Sequence, residues 1–137
     1  MRVTNKPILL IEDDQVDMMR ITRALKEIGV TNQIVHRENG EDALNYLQNE
    51  DSEKPCLILL DLSMPIMNGI EFLQTVKKDE KLRRIPVVIL TASDDPKDKL
   101  NGFNFGIAGY MGKPVDYPQF VEVIRSIDTY WTISQMP

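Results

Sequence analysis

With 137 residues and a formal net charge of −5, the chain is most simply a single domain, long enough to bury a core, with more acids than bases. Its 16 Lys and Arg residues form no basic run, so direct nucleic-acid binding, which needs clustered positive charge, is not expected. No apolar run approaches the ~20 residues of a membrane span. The first seven residues lack the apolar core of a signal peptide. The chain has a single cysteine, which cannot form an internal disulfide. We therefore expect a soluble cytoplasmic protein.

Short apolar segments alternate with helical patterns from one end of the chain to the other. Continuous apolar runs such as ILLI and CLILL are typical of strands buried on both faces of a parallel sheet. The five predicted strands span residues 8–11, 33–37, 56–60, 86–90 and 107–111, and a helical pattern follows each of them. Such alternation predicts an α/β fold with a parallel sheet, helices on both faces and right-handed crossovers.

The predicted helices have recognisable ends. Asp14 is placed to cap the first helix, at about residues 15–28, and Gly29 to end it. A second helix opens at Asn39-Gly40, and a third runs from Gly69 to about residue 78, after a turn marked by Pro65 and Asn68-Gly69. The fourth helix, capped by Asp94 or Asp95 and with Pro96 in its first turn, is weakly patterned because Gly102 and Asn104 lower its helix propensity. The last helix begins near residue 117.

Two single residues have simple interpretations. Cys56 lies in the predicted central strand and is expected to act as a small buried hydrophobe. His36 is expected to be a solvated surface residue, because no cysteine or second histidine could complete a zinc site with it.

Polar side chains follow four of the five predicted strands. They are Glu12 and Asp13, Asp61, Thr91 and, just past the fifth strand, Lys113. Each alone could be an ordinary polar residue where a strand meets water. Because ligands bind beyond the carboxyl ends of parallel strands, four such groups at one edge of one sheet favour a functional site.

The segments IEDD, LLDLSMPIMNG, VVILTAS and GYMGKP resemble, in order and spacing, the receiver domain of bacterial two-component response regulators. The resemblance covers nearly the whole chain. It implies a flavodoxin-like (βα)5 doubly wound sheet with strand order 2-1-3-4-5. We expect one receiver domain over residues 1–137, with a core at about 7–127, a short extension at 128–137 and no output domain.

The resemblance also implies a metal site and a phosphoacceptor. Asp13 and Asp61 would bind Mg²⁺ (or Mn²⁺) directly and Glu12 through water, with the backbone carbonyl of Ser63 as a further ligand. Asp61 would be the nucleophile that becomes an acyl phosphate, and Lys113 would contact a phosphoryl oxygen.

Further residues would respond to the phosphoryl group. Thr91 and Tyr110 would form the switch, in which the Thr91 hydroxyl binds a phosphoryl oxygen and Tyr110 rotates inward. Ala92 and Pro114 would belong to the loops around the phosphoryl group.

The implied function is a phosphorylation-dependent signalling switch that takes its phosphoryl group from a histidine kinase. It would catalyse only its own aspartyl phosphorylation and dephosphorylation, and would reshape the face of the fourth helix, fifth strand and fifth helix to control partner binding or dimerisation. Two alternatives stay open: a phosphorylation-independent adaptor, and an aspartyl-phosphate hydrolase, in which a second acid would stand where this chain has Ser63.

Less specific features resemble the single-domain regulators that work with phytochrome-type histidine kinases. These are the loops at 48–55 and 79–84, the IPVVILTAS segment and the pair Tyr130-Trp131. By default that aromatic pair would pack on its own domain; exposed, it would suit a homodimer or a partner interface.

Overall fold

The computed structural model describes residues 6–27, 29–62, 67–91, 104–112, 118–122 and 125–126. A five-stranded parallel sheet lies at its centre, in the order β2-β1-β3-β4-β5, which confirms the predicted fold class and strand order. The strands are β1 (Ile8–Ile11), β2 (Ile34–Arg37), β3 (Leu57–Leu60), β4 (Val87–Thr91) and β5 (Gly109–Gly112).

Helices connect these strands. They are α1 (Gln15–Glu27), α2 (Gly40–Gln48) and α3 (Gly69–Lys78), followed by a 3-10 turn at Leu82–Arg84. Residues 118–122 and 125–126 are also helical, where the last helix is predicted. Most of the predicted fourth helix falls on residues 92–103, outside the described ranges, and Asn104, the one described residue named in that prediction, is helical. Within those ranges, every helix is too short or too polar to cross a membrane.

Two apolar cores sandwich the sheet, one on each face. Side chains along a strand point alternately to opposite faces, so neighbouring residues of β3 belong to different cores. The first core joins Ile58 and Leu60 to residues of α2 and α3 such as Leu47 and Phe72. The second core joins Leu57 and Leu59 to Ile21 and Leu25 of α1 and to Phe120. Burial of each such side chain contributes about 1.5–3 kcal/mol, so the sheet is anchored on both sides.

The ends of α1 follow the sequence prediction. The carboxylate of Asp14 accepts hydrogen bonds from the backbone N–H groups of Val16 (2.8 Å) and Asp17 (3.0 Å), and so caps the helix. At the other end Gly29 has a φ of 89°, and the N–H of Val30 reaches back to a carbonyl in the last turn. Glycine adopts that left-handed conformation without the steric cost that a Cβ imposes, which stops the helix there.

Asparagine caps the next two helices. The side chain of Asn39 accepts a hydrogen bond from the N–H of Asp42 at 2.8 Å. Asn68 accepts from the N–H of Glu71 at 3.0 Å, and the Glu71 carboxylate accepts the N–H of Asn68 at 3.2 Å. This reciprocal pair is a capping box, and it fixes where α3 starts after the loop that follows β3.

Several predicted strand boundaries were wrong by one or two residues, and the segment 79–84 contains a turn that was not predicted. The fifth strand begins at Gly109 rather than at residue 107, since its first registered pair is Val88 with Gly109. The segment 79–84, predicted as a charged connection, contains a 3-10 turn because Leu82 is buried in the first core. The charged residues around that leucine hid the turn from sequence patterning.

Candidate functional site

Three carboxylates meet at the carboxyl ends of β1 and β3. These strands are neighbours, with Ile11 opposite Leu60, so the residues that follow each strand emerge side by side. One carboxylate oxygen from each of Glu12, Asp13 and Asp61 lies within 4.8 Å of the others. The structure therefore brings together the three acids that the sequence predicted would converge.

Backbone hydrogen bonds hold two of these acids in place. The N–H of Glu12 donates to the carbonyl of Arg37 in β2, and the N–H of Asp61 donates to the carbonyl of Ile11 in β1, each at 3.0 Å. The ladder thus extends one residue beyond each strand. Glu12 and Asp61 are 1% and 5% exposed, whereas Asp13 is exposed. The cluster is buried on one side and open to solvent on the other.

Of the three consecutive acids after β1, Asp14 has a different role. Its carboxylate caps α1, as described above, and its backbone N–H lies 3.3 Å from Oε2 of Glu12, a distance at which it donates a weak hydrogen bond. This contact orients the Glu12 carboxylate. The structure therefore separates the acid that caps the helix from the two that join Asp61.

His36 corrects a prediction made from the sequence. It is half-buried rather than solvated, and its Nε2 lies 2.8 Å from the backbone carbonyl oxygen of Glu12. With a proton on Nε2, the ring donates to that carbonyl. The cause is the pairing of β2 with β1, which places this side chain beside the segment that leaves β1.

The chemistry of the donor set fits a hard divalent cation. Like charges so close together repel, and a cation relieves that repulsion. Mg²⁺ and Mn²⁺ prefer oxygen ligands, and Mg²⁺ usually keeps several water molecules while binding one or two carboxylates. Two buried carboxylates and one exposed carboxylate supply such oxygens and leave an open side. The structure thus supports a Mg²⁺ or Mn²⁺ site formed by Glu12, Asp13 and Asp61.

Thr91 and Tyr110 lie on adjacent strands near the same edge. Thr91 ends β4 and is fully buried, opposite Gly112 of β5. Tyr110 is half-buried, packs against the first core and is paired with Ile89. Because residues two apart on a strand share a face, Thr91 and Tyr110 project from the same face of the sheet.

The sequence suggested Gly69 only as part of a turn, but the structure gives it a packing role. A Cβ on Gly69 would lie 2.6 Å from Cα of Leu62 and 2.9 Å from the carbonyl oxygen of Asp61. The N–H of Gly69 also donates to the carbonyl of Leu62 at 2.9 Å. The start of α3 thus packs directly on the backbone that carries Asp61, which leaves no room for a side chain. The Asn-Gly pair was a sequence signal for a turn, not for this contact.

Several predicted site residues fall outside the described ranges. They are Ser63, Ala92, Lys113, Pro114, Tyr130 and Trp131. Their roles as metal ligand, phosphate-loop residues, phosphoryl contact and interface stay predictions.

The family model of the response regulator receiver domain matches residues 8–125. Similar proteins include the probable methanogenesis regulatory protein FilR2 of Methanothrix harundinacea, 35% identical over 127 residues, which cover 90% of this chain and 82% of that protein. The response regulator Rcp1 of Synechocystis is 32% identical over 130 residues, which cover 92% of this chain and 88% of that protein.

Solved structures of response regulators also resemble this chain in fold. The phosphorylated cyanobacterial phytochrome response regulator RcpA superposes with a TM-score of 0.81 at 31% identity, over 98% of this chain and 99% of that one. The Mn²⁺-bound form of Rcp1 superposes with a TM-score of 0.80 at 31% identity, over 96% of this chain and 99% of that one.

Proposed function

The chain belongs to the response regulator receiver domain family, and we propose that it is a switch that accepts a phosphoryl group on Asp61 from a histidine kinase. The observation that carries this proposal is the convergence of the Glu12, Asp13 and Asp61 carboxylates within 4.8 Å at one edge of the sheet. In a family whose members act in two-component signalling, this cluster suits phosphoryl transfer better than a structural role.

Asp61 is the nucleophile of the proposed reaction. One of its carboxylate oxygens forms a bond to phosphorus, the bond between phosphorus and the kinase imidazole nitrogen breaks, and an acyl phosphate results. The position of Asp61 supports this role, because its backbone is tied to Ile11 and to the start of α3. A nucleophile held in this way loses little further freedom when the phosphoryl donor arrives.

Asp13 and Asp61 would hold Mg²⁺ or Mn²⁺ directly and Glu12 through water, joined by the backbone carbonyl of Ser63, as the family resemblance implies. Such an ion neutralises charge on the phosphoryl oxygens and orients them towards the nucleophile. Asp13 is the exposed member, so the open side of the site leaves space for water and for the phosphoryl group. The Mn²⁺-bound form of the similar protein Rcp1 supports this assignment.

Thr91 and Tyr110 are the proposed switch, with Lys113 as the cationic phosphoryl contact and Ala92 and Pro114 in the surrounding loops. The shared face of Thr91 and Tyr110 supports a coupled movement of their side chains. Shifting a two-state equilibrium from 1:99 to 99:1 requires about 5.5 kcal/mol. Charge-assisted hydrogen bonds of roughly 1.5–3 kcal/mol each, together with metal contacts, are sufficient for that shift.

The proposed donor is a histidine kinase of the phytochrome type. The similarity to RcpA, a cyanobacterial phytochrome response regulator, supports this choice. The proposed output is a change in the face formed by the fourth helix, β5 and the last helix, which would control binding of a partner or of a second copy through Tyr130 and Trp131. We place the protein in the cytoplasm, where histidine kinases present their phosphorylated domains.

The test is phosphorylation by acetyl phosphate and Mg²⁺, followed by intact mass measurement. We expect the wild-type chain to gain one phosphoryl group, and we expect no gain in Asp61→Asn or in the presence of EDTA. Asp14→Asn is the matched control, because that residue caps α1 and asparagine caps a helix equally well. It should be phosphorylated like the wild type.

Other outcomes would favour the alternatives. Failure of both acetyl phosphate and a phytochrome-type kinase to phosphorylate the chain, together with no Mg²⁺ binding, would overturn the switch in favour of an adaptor. Repeated turnover of a small phosphoester would indicate a hydrolase instead.

A further inference from the structure

A cavity of about 360 Å³ lies at the end of the sheet opposite the three carboxylates. It opens where the three central strands begin, since its lining includes Lys6 before β1, Cys56 before β3 and Pro86 before β4. These segments are far apart in sequence and are brought together by the pairing of β1 with β3 and of β3 with β4. The proposed phosphorylation chemistry makes no use of this end of the sheet.

The floor of the cavity is apolar. Cys56, Leu82 and Ile85 line it, and all three are buried members of the two cores. Pro55 and Pro86 complete the floor, and proline has no backbone N–H to offer to water or to a ligand. Such a floor suits an apolar group.

The rim has the opposite character. Four cations, Lys6, Lys54, Lys81 and Arg84, line the cavity beside one acid, Glu80. The cavity lining is thus positively charged, although the chain as a whole has a formal net charge of −5. A local field of this sign attracts anions even though the whole protein repels them.

One of these cations is held in place. The ammonium of Lys54 donates to the backbone carbonyls of Leu47 and Asn49, the latter at 2.9 Å, at the carboxyl end of α2, and neither of these two bonds involves a carboxylate. Asp79 lies near Lys81 and Lys54, but its carboxylate accepts the backbone N–H groups of Leu82 and Lys81, which hold the pKa of Asp79 below its usual range. Asp79 therefore stays ionised at neutral pH and offsets part of the positive charge of Lys81 and Lys54. With Glu80, two acids stand against four cations around the cavity, and the local charge remains positive.

We propose that this cavity binds a small organic anion with an apolar body, such as an aromatic or aliphatic carboxylate, sulfonate or phosphate. The apolar part rests on the floor, and the anionic group meets the rim at Lys81 and Arg84. The volume lies in the range of small-molecule sites, about 300–1,000 Å³, and is too small to enclose a folded partner. This inference stands independently of the proposed phosphorylation, because no residue of the carboxylate cluster takes part in it.

The test is a titration of the ¹⁵N-labelled full-length chain with 1-anilinonaphthalene-8-sulfonate, an apolar sulfonate, followed by NMR. We expect saturable shifts of the amides of Cys56, Leu82 and Ile85, and none of the amides of Glu12 and Asp61. Absence of saturable shifts at the cavity, or shifts centred elsewhere, would overturn the proposal.

Paired charge reversals separate the cavity from general charge effects. The double variant Lys81→Glu, Arg84→Glu should weaken binding of the sulfonate about tenfold, because two cations that line the cavity become anions. Both side chains are exposed, so the fold should be retained, and the same spectra report on it. The matched control, Arg20→Glu with Arg23→Glu on the exposed side of α1, makes the same change in net charge and should leave affinity unchanged. Equal weakening in both variants would contradict the site.

A final titration with an acidic peptide tests a different occupant of the cavity. If a Glu-rich heptapeptide shifted the cavity amides while the sulfonate did not, an acidic protein segment would replace the small anion as the occupant, and the proposal as stated would be wrong.

Discussion

The two ends of the sheet carry opposite charges on the same strands. At the carboxyl end, Glu12, Asp13 and Asp61 gather around one point. At the amino end of the same strands, Lys6 and Lys54 belong to a cationic rim. Residues 8–11 and 57–60 between them are apolar and buried without exception. Strands β1 and β3 carry no charged residue, so the sign of the charge at each end is set by the loop residues next to them.

Distance keeps these two ends electrostatically separate. Six residues of extended chain connect Lys6 to Glu12, or about 20 Å at ~3.3 Å per residue. The Debye length at physiological ionic strength is ~8 Å, so attraction between the exposed charges of the two ends, such as Asp13 and Lys81, is largely screened. One small domain can therefore hold a cation at one end and an anion at the other without either site cancelling the other.

The largest expected effect is stabilisation by Mg²⁺ at the carboxyl end. A ligand that binds only the folded state at 100 times its Kd adds about 2.7 kcal/mol to the free energy of unfolding. In urea denaturation with saturating Mg²⁺, we expect the free energy of unfolding of the wild type to rise by about this amount. For Asp13→Asn at the same Mg²⁺ concentration, the rise should be smaller by at least ~1 kcal/mol, because the variant loses a fully charged oxygen ligand. Mg²⁺ should have no effect at the cationic end of the sheet.

Asp14→Asn is again the control, because it changes a neighbouring acid by the same chemistry but leaves both the cluster and the cap of α1 in place. If both variants lost the same amount of Mg²⁺ stabilisation, the separation of the clustered acid from the capping acid would be wrong.

Gly69→Ala should give the next largest effect. The added Cβ would meet Cα of Leu62 at 2.6 Å, and overpacking of this kind costs about 1–3 kcal/mol. Gly112→Ala is the matched control, because a Cβ there has no neighbour within 4 Å in the described part of the chain. Urea denaturation measures both. Equal stabilities of the two variants would show that α3 does not pack on the Asp61 segment as described.

The last expected effect concerns Cys56 at the amino end and is confined to high pH. Burial raises the pKa of its thiol to about 11. Because the folded pKa exceeds the unfolded one, the contribution of the neutral thiol to stability is fully present below pH 9 and is lost as pH rises through about 11. The difference in unfolding free energy between wild type and Cys56→Ala should therefore shrink over this interval, measured by denaturation at stepped pH. A constant difference would contradict the burial of the thiol.

Local patterns predicted much of this molecule. The run ILLI predicted β1 with its bounds, because a strand buried on both faces has no other periodicity to confuse it. Asp14, Asn39 and Gly29 predicted helix ends because capping depends on neighbouring backbone groups alone. The meeting of Glu12, Asp13 and Asp61 was not predicted by local patterns; it followed from the strand order that the family resemblance implied, together with the place of these acids after β1 and β3.

Features that depend on distant contacts were not predictable in the same way. His36 was expected in water, yet its ring bonds to Glu12, 24 residues away. The burial of Leu82 depends on its packing against α3 and the rest of the first core, not on its charged neighbours in sequence. The cationic cavity joins segments near residues 6, 55 and 84, whose separate sequences carry no motif.

The alternation of core residues along β3 limits how this chain can vary in length. Leu57 and Leu59 face one core, and Ile58 and Leu60 face the other. Because this periodicity is two, deleting one residue from the strand would exchange the two sets and turn Asp61 away from Glu12. Single-residue insertions and deletions inside β3 should therefore abolish the proposed phosphorylation of Asp61, whereas those in the exposed turn at residues 49–51 should be tolerated. Loop lengths can vary, but the number of residues in β3, which sets the direction of the proposed phosphoacceptor, cannot.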